Sequence, residues 1–95
     1  MRLLMVLASC LLLAACNGVA EDASGAEIFE HSCASCHSQD ASGGVGPPLN
    51  AGSNASEQPD SFLTETITRG RGSMPAFDFT EEQLQRLVEH LRSLP

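Results

Sequence analysis

The sequence predicts a small, mainly α-helical domain, on three observations. Leu84, Leu87, Val88 and Leu91 recur at i, i+3, i+4 and i+7, the spacing of one apolar helix face. Thr80 and Gln83 stand just ahead of them as a capping box, threonine at N-cap and glutamine at N3, so this helix runs from Thr80 to about Ser93. Two further stretches open on capping residues, at Ser24 and at Asp60 or Ser61. With 95 residues and no internal repeat, the chain is bounded to one such domain.

The first fifteen residues lie outside that domain. Met1-Arg2 is a short positive start, Leu3 to Leu13 is apolar, and Leu13-Ala14-Ala15-Cys16 closes the run. It is too short to span a bilayer and reads as a secretory signal. The closing four residues resemble a bacterial lipobox, with Cys16 as the lipidated first residue of the mature chain. Ordinary cleavage after Ala15 or Ala20, giving a soluble product, is the competing reading. Lipidation accounts for a cysteine otherwise unexplained in an exported chain, and several acyl chains anchor stably where one does not. Asn17, rather than Asp, in the second mature position points to the outer membrane. Residues 16–24 are small, polar and acidic, and read as a tether. The eight from Asn17 to Ser24 reach at most about 28 Å when extended, and the folded domain is expected over 25–95.

From Ser24 a helix with Glu27 in its first turn would bury Ile28 and Phe29 and leave His31 exposed. It leads into Cys33-Ala34-Ser35-Cys36-His37. This C-x-x-C-H run is the attachment signature of c-type haem. On a helix, Cys33 and Cys36 share one face, so both thiols reach one planar ligand and form thioethers with its vinyl groups. His37 follows Cys33 by about one turn, which brings its imidazole to the metal at the ring centre. Three other chemistries use a C-x-x-C pair. Structural zinc wants four ligands, but no cysteine follows Cys36, and His31 and His90 have no paired spacing. A thioredoxin-like pair wants a strand before it, where this chain reads helical. A Cys33–Cys36 disulfide would close a very small loop and stabilise little.

Gln39 to Gly46 is a loop rich in Gly, Ser and Asp, stiffened by Gly46-Pro47-Pro48-Leu49. Metal-bound histidines usually donate their second ring N–H to a carbonyl or carboxylate. The carbonyl of Pro47, held by neighbouring proline rings, is the candidate; a rigid turn without that role is the other reading. Leu49 is expected to face the ring. After a second polar loop, a helix of about eight residues carries Phe62, Leu63 and Ile67 on its apolar side, and Gly70 and Gly72 break it.

Met74 follows those glycines and precedes Pro75. The proline biases it to extended backbone, and the glycines let the loop approach a flat ligand. The 37 residues after His37 give the chain room to reach the opposite ring face. A thioether ligand favours reduced iron, so His/Met ligation raises the potential; gap-filling in the core is the other use of a methionine. Arg69 and Arg71 are candidate partners for the haem propionates, or else solvated loop residues.

The formal net charge is −7, with the carboxylates spread along the chain as a solvated surface. Nucleic-acid binding needs clustered Lys and Arg and is excluded. The charge suits a redox partner with a basic docking patch, mainly through encounter rate.

Taken together, these residues resemble the class I, mono-haem, His/Met cytochromes c. The resemblance covers Gly25 to Leu94 and rests on Gly25-Ala26-Glu27-Ile28-Phe29, C-A-x-C-H at 33–37, G-P-P-L at 46–49, R-G-x-G-x-M-P at 69–75 and the closing Leu-rich helix. It implies three to four helices wrapped around one covalent haem c. By that likeness Cys33 and Cys36 supply the thioether sulfurs, His37 is the proximal and Met74 the distal ligand, and the Pro47 carbonyl orients His37. The chain departs from the family at His90, where the last helix commonly carries an aromatic against the first. Four phenylalanines and no Tyr or Trp make a thin core for this size, which a buried haem would complete.

The expectation is therefore a one-electron carrier and not an enzyme. With both axial positions filled, no small-molecule substrate site remains. Its redox partners are expected on the periplasmic side of a bacterial membrane, reached through the lipid anchor. The alternative is a haem-based sensor or small peroxidase-like enzyme with a labile sixth ligand.

Overall fold

Ser24 opens the first helix as its sequence predicts. The serine hydroxyl accepts the Glu27 N–H at 3.1 Å, satisfying one donor of the first turn. The computed structural model describes residues 18–95; the secretory signal over 1–15 and Cys16 lie outside the described residues. Four helices follow in order: α1 (Gly25–Ser32), α2 (Ala34–His37), α3 (Asp60–Arg69) and α4 (Glu81–Ser93), with a single 3₁₀ turn at Ala55–Glu57 before α3. Among the described residues there is no strand, only an isolated antiparallel bridge between Arg71 and Met74, and no helix is long and apolar enough to cross a membrane.

The frame is the crossing of α1 on α4. Ile28 and Phe29 are buried on one side, Leu87 and Leu91 on the other, and Ile67, Phe79, Ala34 and Ala41 join the same core. Gly25 sets how closely the helices approach. A Cβ there would fall 2.1 Å from the carbonyl oxygen of Arg86 and 2.7 Å from His90 Cβ, so glycine is required by contact. The aromatic place that His90 takes is filled after all: its ring lies 5.6 Å from that of Phe29, tilted by 48°, within the range of favourable ring contacts.

The capping box of α4 forms in both directions. Thr80 Oγ1 accepts the Gln83 N–H at 3.2 Å, and the Thr80 N–H donates to Gln83 Oε1 at 2.9 Å. Gln83 is only 1% exposed, a burial that a capping role alone does not require. Its remaining amide donor supplies the reason, reaching the Ala20 carbonyl at 3.2 Å.

Other bonds hold the described residues just ahead of α1 in the same way. Arg86 adds two more, from Nε to the Ala23 carbonyl at 2.9 Å and from Nη2 to the Glu21 carbonyl at 2.7 Å. Ala23 is buried and Val19 packs on the core. Packing on the core thus extends back to Val19, ahead of Gly25.

Helix α3 differs from its expectation in two details. Its N-cap is Pro59, without a side-chain cap. Asp60 instead meets Arg92 of α4 at 2.9 Å, and Arg92 also donates to the carbonyls of Ser56 and Gln58. Leu63 and Ile67 are buried as predicted, but Phe62 is exposed, its ring covered on one side by Arg71.

Candidate functional site

The site is built at the junction of α1 and α2. Helix α1 ends at Ser32, and Cys33, with φ −121° and ψ −34°, turns the chain before α2 begins. The two cysteines are therefore not on one continuous helix. The hydrogen bonding still carries across, from the Cys33 N–H to the Phe29 carbonyl at 2.9 Å. The Cys33 carbonyl then accepts both Cys36 N–H at 3.2 Å and His37 N–H at 3.0 Å, so cysteine, cysteine and histidine stand on one tight turn.

No disulfide joins the two cysteines; Cys33 is half-buried and Cys36 exposed. Burial, reinforced by the neighbouring Cys36, pushes the Cys33 thiol up to about 11. Cys33 is thus held as a thiol near neutral pH, the opposite of the activated thiolate a thioredoxin-like pair needs. Among the described residues no three His, Cys, Asp or Glu side chains gather as a metal cluster.

His37 is 7% exposed, and its Nδ1 lies 2.7 Å from the carbonyl oxygen of Pro47. A carbonyl only accepts, so Nδ1 must carry the proton and donate. The Nε2 lone pair is left for a metal. The loop that brings Pro47 there is pinned at both ends. Gly43 N–H donates to the His37 carbonyl at 2.9 Å, Gly46 N–H to the Cys36 carbonyl at 2.8 Å, and Leu49 N–H to the Ala41 carbonyl at 2.9 Å. Gly46 lies flat on the imidazole: a Cβ there would fall 2.7 Å from His37 Cε1 and 2.8 Å from Nδ1. This glycine was not marked as a site residue by its sequence, although the G-P-P-L run contained it. Ser38 and Ala41 take positive φ, 71° and 61°, a strained conformation that the tight loop enforces.

Met74 sits on a second turn. Its N–H donates to the Arg71 carbonyl at 2.9 Å, and Arg71 N–H returns a bond to the Met74 carbonyl at 3.2 Å. Gly70 caps α3 with φ +74°, and a Cβ on it would strike the Met74 carbonyl oxygen at 2.6 Å. Met74, Leu49, Cys33 and Phe77 are all half-buried against the same core. Phe77 stacks on Phe79 with centroids 5.3 Å apart, and its N–H holds the Ile67 carbonyl at 3.0 Å. The two arginines are engaged elsewhere. Arg69 pairs with Glu65 at 3.3 Å on the surface, a weak exposed pair, and Arg71 lies 5.9 Å over the Phe62 ring.

A half-buried thiol and an exposed one, a buried imidazole with one nitrogen committed, and a glycine-lined loop fit a covalently held haem. Together with the helical fold they define a c-type cytochrome domain. The comparisons agree. Residues 20–91 match the family model described as cytochrome c oxidase, cbb3-type, subunit III. Cytochrome c-551 of Halorhodospira halophila is 35% identical over 65 residues, 64% of this chain and 81% of that protein. Among solved structures, a chain of p-cresol methylhydroxylase with substrate bound superposes with a TM-score of 0.63 at 29% identity, covering 80% of this chain and 99% of that one. A second p-cresol methylhydroxylase structure, at 2.5 Å resolution, matches equally well. The chain belongs to the cytochrome c family, within the group described by the cbb3-type subunit III model. It carries covalently bound haem c with its iron and acts as a cytochrome c-type electron carrier. Proteins of this type are typically exported or periplasmic.

Proposed function

We propose that this chain is a one-electron carrier with His37 and Met74 as the two axial ligands, anchored by lipid on Cys16 at the periplasmic side of its membrane. The 2.7 Å contact from His37 Nδ1 to the Pro47 carbonyl is the observation that carries it, because it fixes the tautomer and aims Nε2. The haem supplies an Fe(II)/Fe(III) couple. Cys33 and Cys36 hold it in place through two thioethers. Met74, on a turn fixed by Arg71 and by Gly70 packed against its backbone, offers a soft neutral sulfur that favours the reduced state. Leu49 and the Phe77–Phe79 stack pack against the same core as Met74.

Arg69 at the end of α3 and Arg71 on the Met74 turn are held by nothing stronger than a surface pair and a ring contact. They are free to turn toward the propionates. The acidic surface suits a partner with a basic docking patch. A redox enzyme is supported as that partner by the likeness to a chain of p-cresol methylhydroxylase.

Near-infrared magnetic circular dichroism of the ferric protein, with a redox titration, tests this reading. A thioether-to-iron band that disappears in Met74→Ala supports it. Rapid stoichiometric carbon monoxide binding by the resting ferrous protein would instead establish an open sixth position, the sensor or peroxidase-like alternative.

A further inference from the structure

The residues after the lipobox are fastened to the domain. Gln83 Nε2 holds the Ala20 carbonyl at 3.2 Å, Arg86 Nη2 the Glu21 carbonyl at 2.7 Å, and Arg86 Nε the Ala23 carbonyl at 2.9 Å. These bonds go to backbone, so they fix the path of the chain and not one side chain. Ala23 is 3% exposed and Val19 packs on the core. At Gly18 a Cβ would already lie 2.9 Å from His31 Nε2 of α1. Gln83 is buried, and the same amide completes the capping box of α4. Undocking the segment would break these three bonds and expose the apolar contacts of Val19 and Ala23.

Only Asn17 separates Cys16 from Gly18. At about 3.5 Å per residue, the Cα of Cys16 lies no more than about 7 Å from that of Gly18.

We propose that residues 18–24 are a rigid mount that holds the domain on a lipid surface in one orientation, with the surface where Gly18 meets His31 nearest the bilayer. This rests on the reading that Cys16 is lipidated. A free tether would let the haem edge face every direction; this mount presents it in one. The carboxylates of Glu21, Asp22, Glu81 and Glu82 are exposed around the mount. They fit a neutral headgroup surface and are repelled by an anionic one.

The test is polarised absorption of the haem in the full lipidated chain, reconstituted into supported phosphatidylcholine bilayers. The wild-type protein is expected to show a dichroic ratio well away from the isotropic value. Inserting ten Gly/Ser residues between Asn17 and Gly18, which alters no packed residue, should bring it to isotropic. Arg86→Ala should move it the same way while the haem spectrum stays unchanged. A membrane-bound wild type that is isotropic, or an insertion variant that keeps the wild-type ratio, overturns the mount and leaves the anchor standing. A wild-type chain that fails to sediment with the vesicles, or a Cys16→Ser chain that still does, overturns the lipid-anchor reading and the mount with it.

Discussion

Gly46 lies against the imidazole of His37 so closely that a methyl group would fall 2.7 Å from Cε1. The hydrogen bond from His37 to the Pro47 carbonyl depends on that approach, because the loop cannot rise without carrying Pro47 away. Gly46→Ala is therefore expected to destabilise the holoprotein by about 1–3 kcal/mol, the usual cost of overpacking. Denaturant unfolding followed through the haem absorption measures it, and a change below about 0.5 kcal/mol would show that the loop yields freely.

Gly25→Ala tests the helix crossing in the same way. The added methyl meets backbone, the Arg86 carbonyl at 2.1 Å, which cannot rotate aside. The loss should reach the upper end of that range, about 3 kcal/mol. For a domain this small that lowers the melting temperature by roughly 12 °C or more.

Thr80→Ala and Gln83→Ala separate the two roles of the capping box. Removing the threonine costs about 1 kcal/mol of helix capping. Removing the glutamine should cost more, because it also strips the Ala20 carbonyl of its donor and opens a buried space. Parallel urea melts give the ranking; equal losses would mean that the Ala20 contact contributes nothing.

Met74→Ala should open the sixth coordination position. The ferrous variant is expected to bind carbon monoxide stoichiometrically, and its midpoint potential should fall because a soft ligand for reduced iron is gone. A potentiometric titration that overlays the wild type would remove Met74 from the coordination sphere.

A chain that never receives haem should lose cooperative structure, since its core is small and four phenylalanines are its whole aromatic content. The Cys33→Ala/Cys36→Ala variant is expected to show a weak helical far-UV signal and no sharp melt. A native-like, cooperative melt would show that the polypeptide core suffices.

Much of this was legible in the sequence because it depends on neighbours along the chain. The capping box, the α4 stripe, the break at Gly70 and the Cys33–His37 turn are all local. Pro47 was legible for the same reason, a stiff carbonyl a short loop away from a histidine. What stayed hidden depends on contacts between distant segments. Residues 19–24 have linker composition, and their carbonyls, taken by Gln83 and Arg86, together with the packing of Val19 and Ala23 make them part of the fold. Phe62 sits at an apolar helix position yet faces outward under Arg71. His90 is marked by its place opposite the first helix, but its ring is a partner for Phe29 only once α4 lies across α1. Gly46 is one glycine among eight until the imidazole is beside it.

The most direct test of the covalent haem at the α1–α2 junction is tandem mass spectrometry of the purified, denatured and reduced protein, made in a cell that matures c-type cytochromes. One haem should stay bonded to the fragment containing Cys33 and Cys36, with neither thiol open to alkylation. A haem-free fragment with both thiols alkylated would contradict the account.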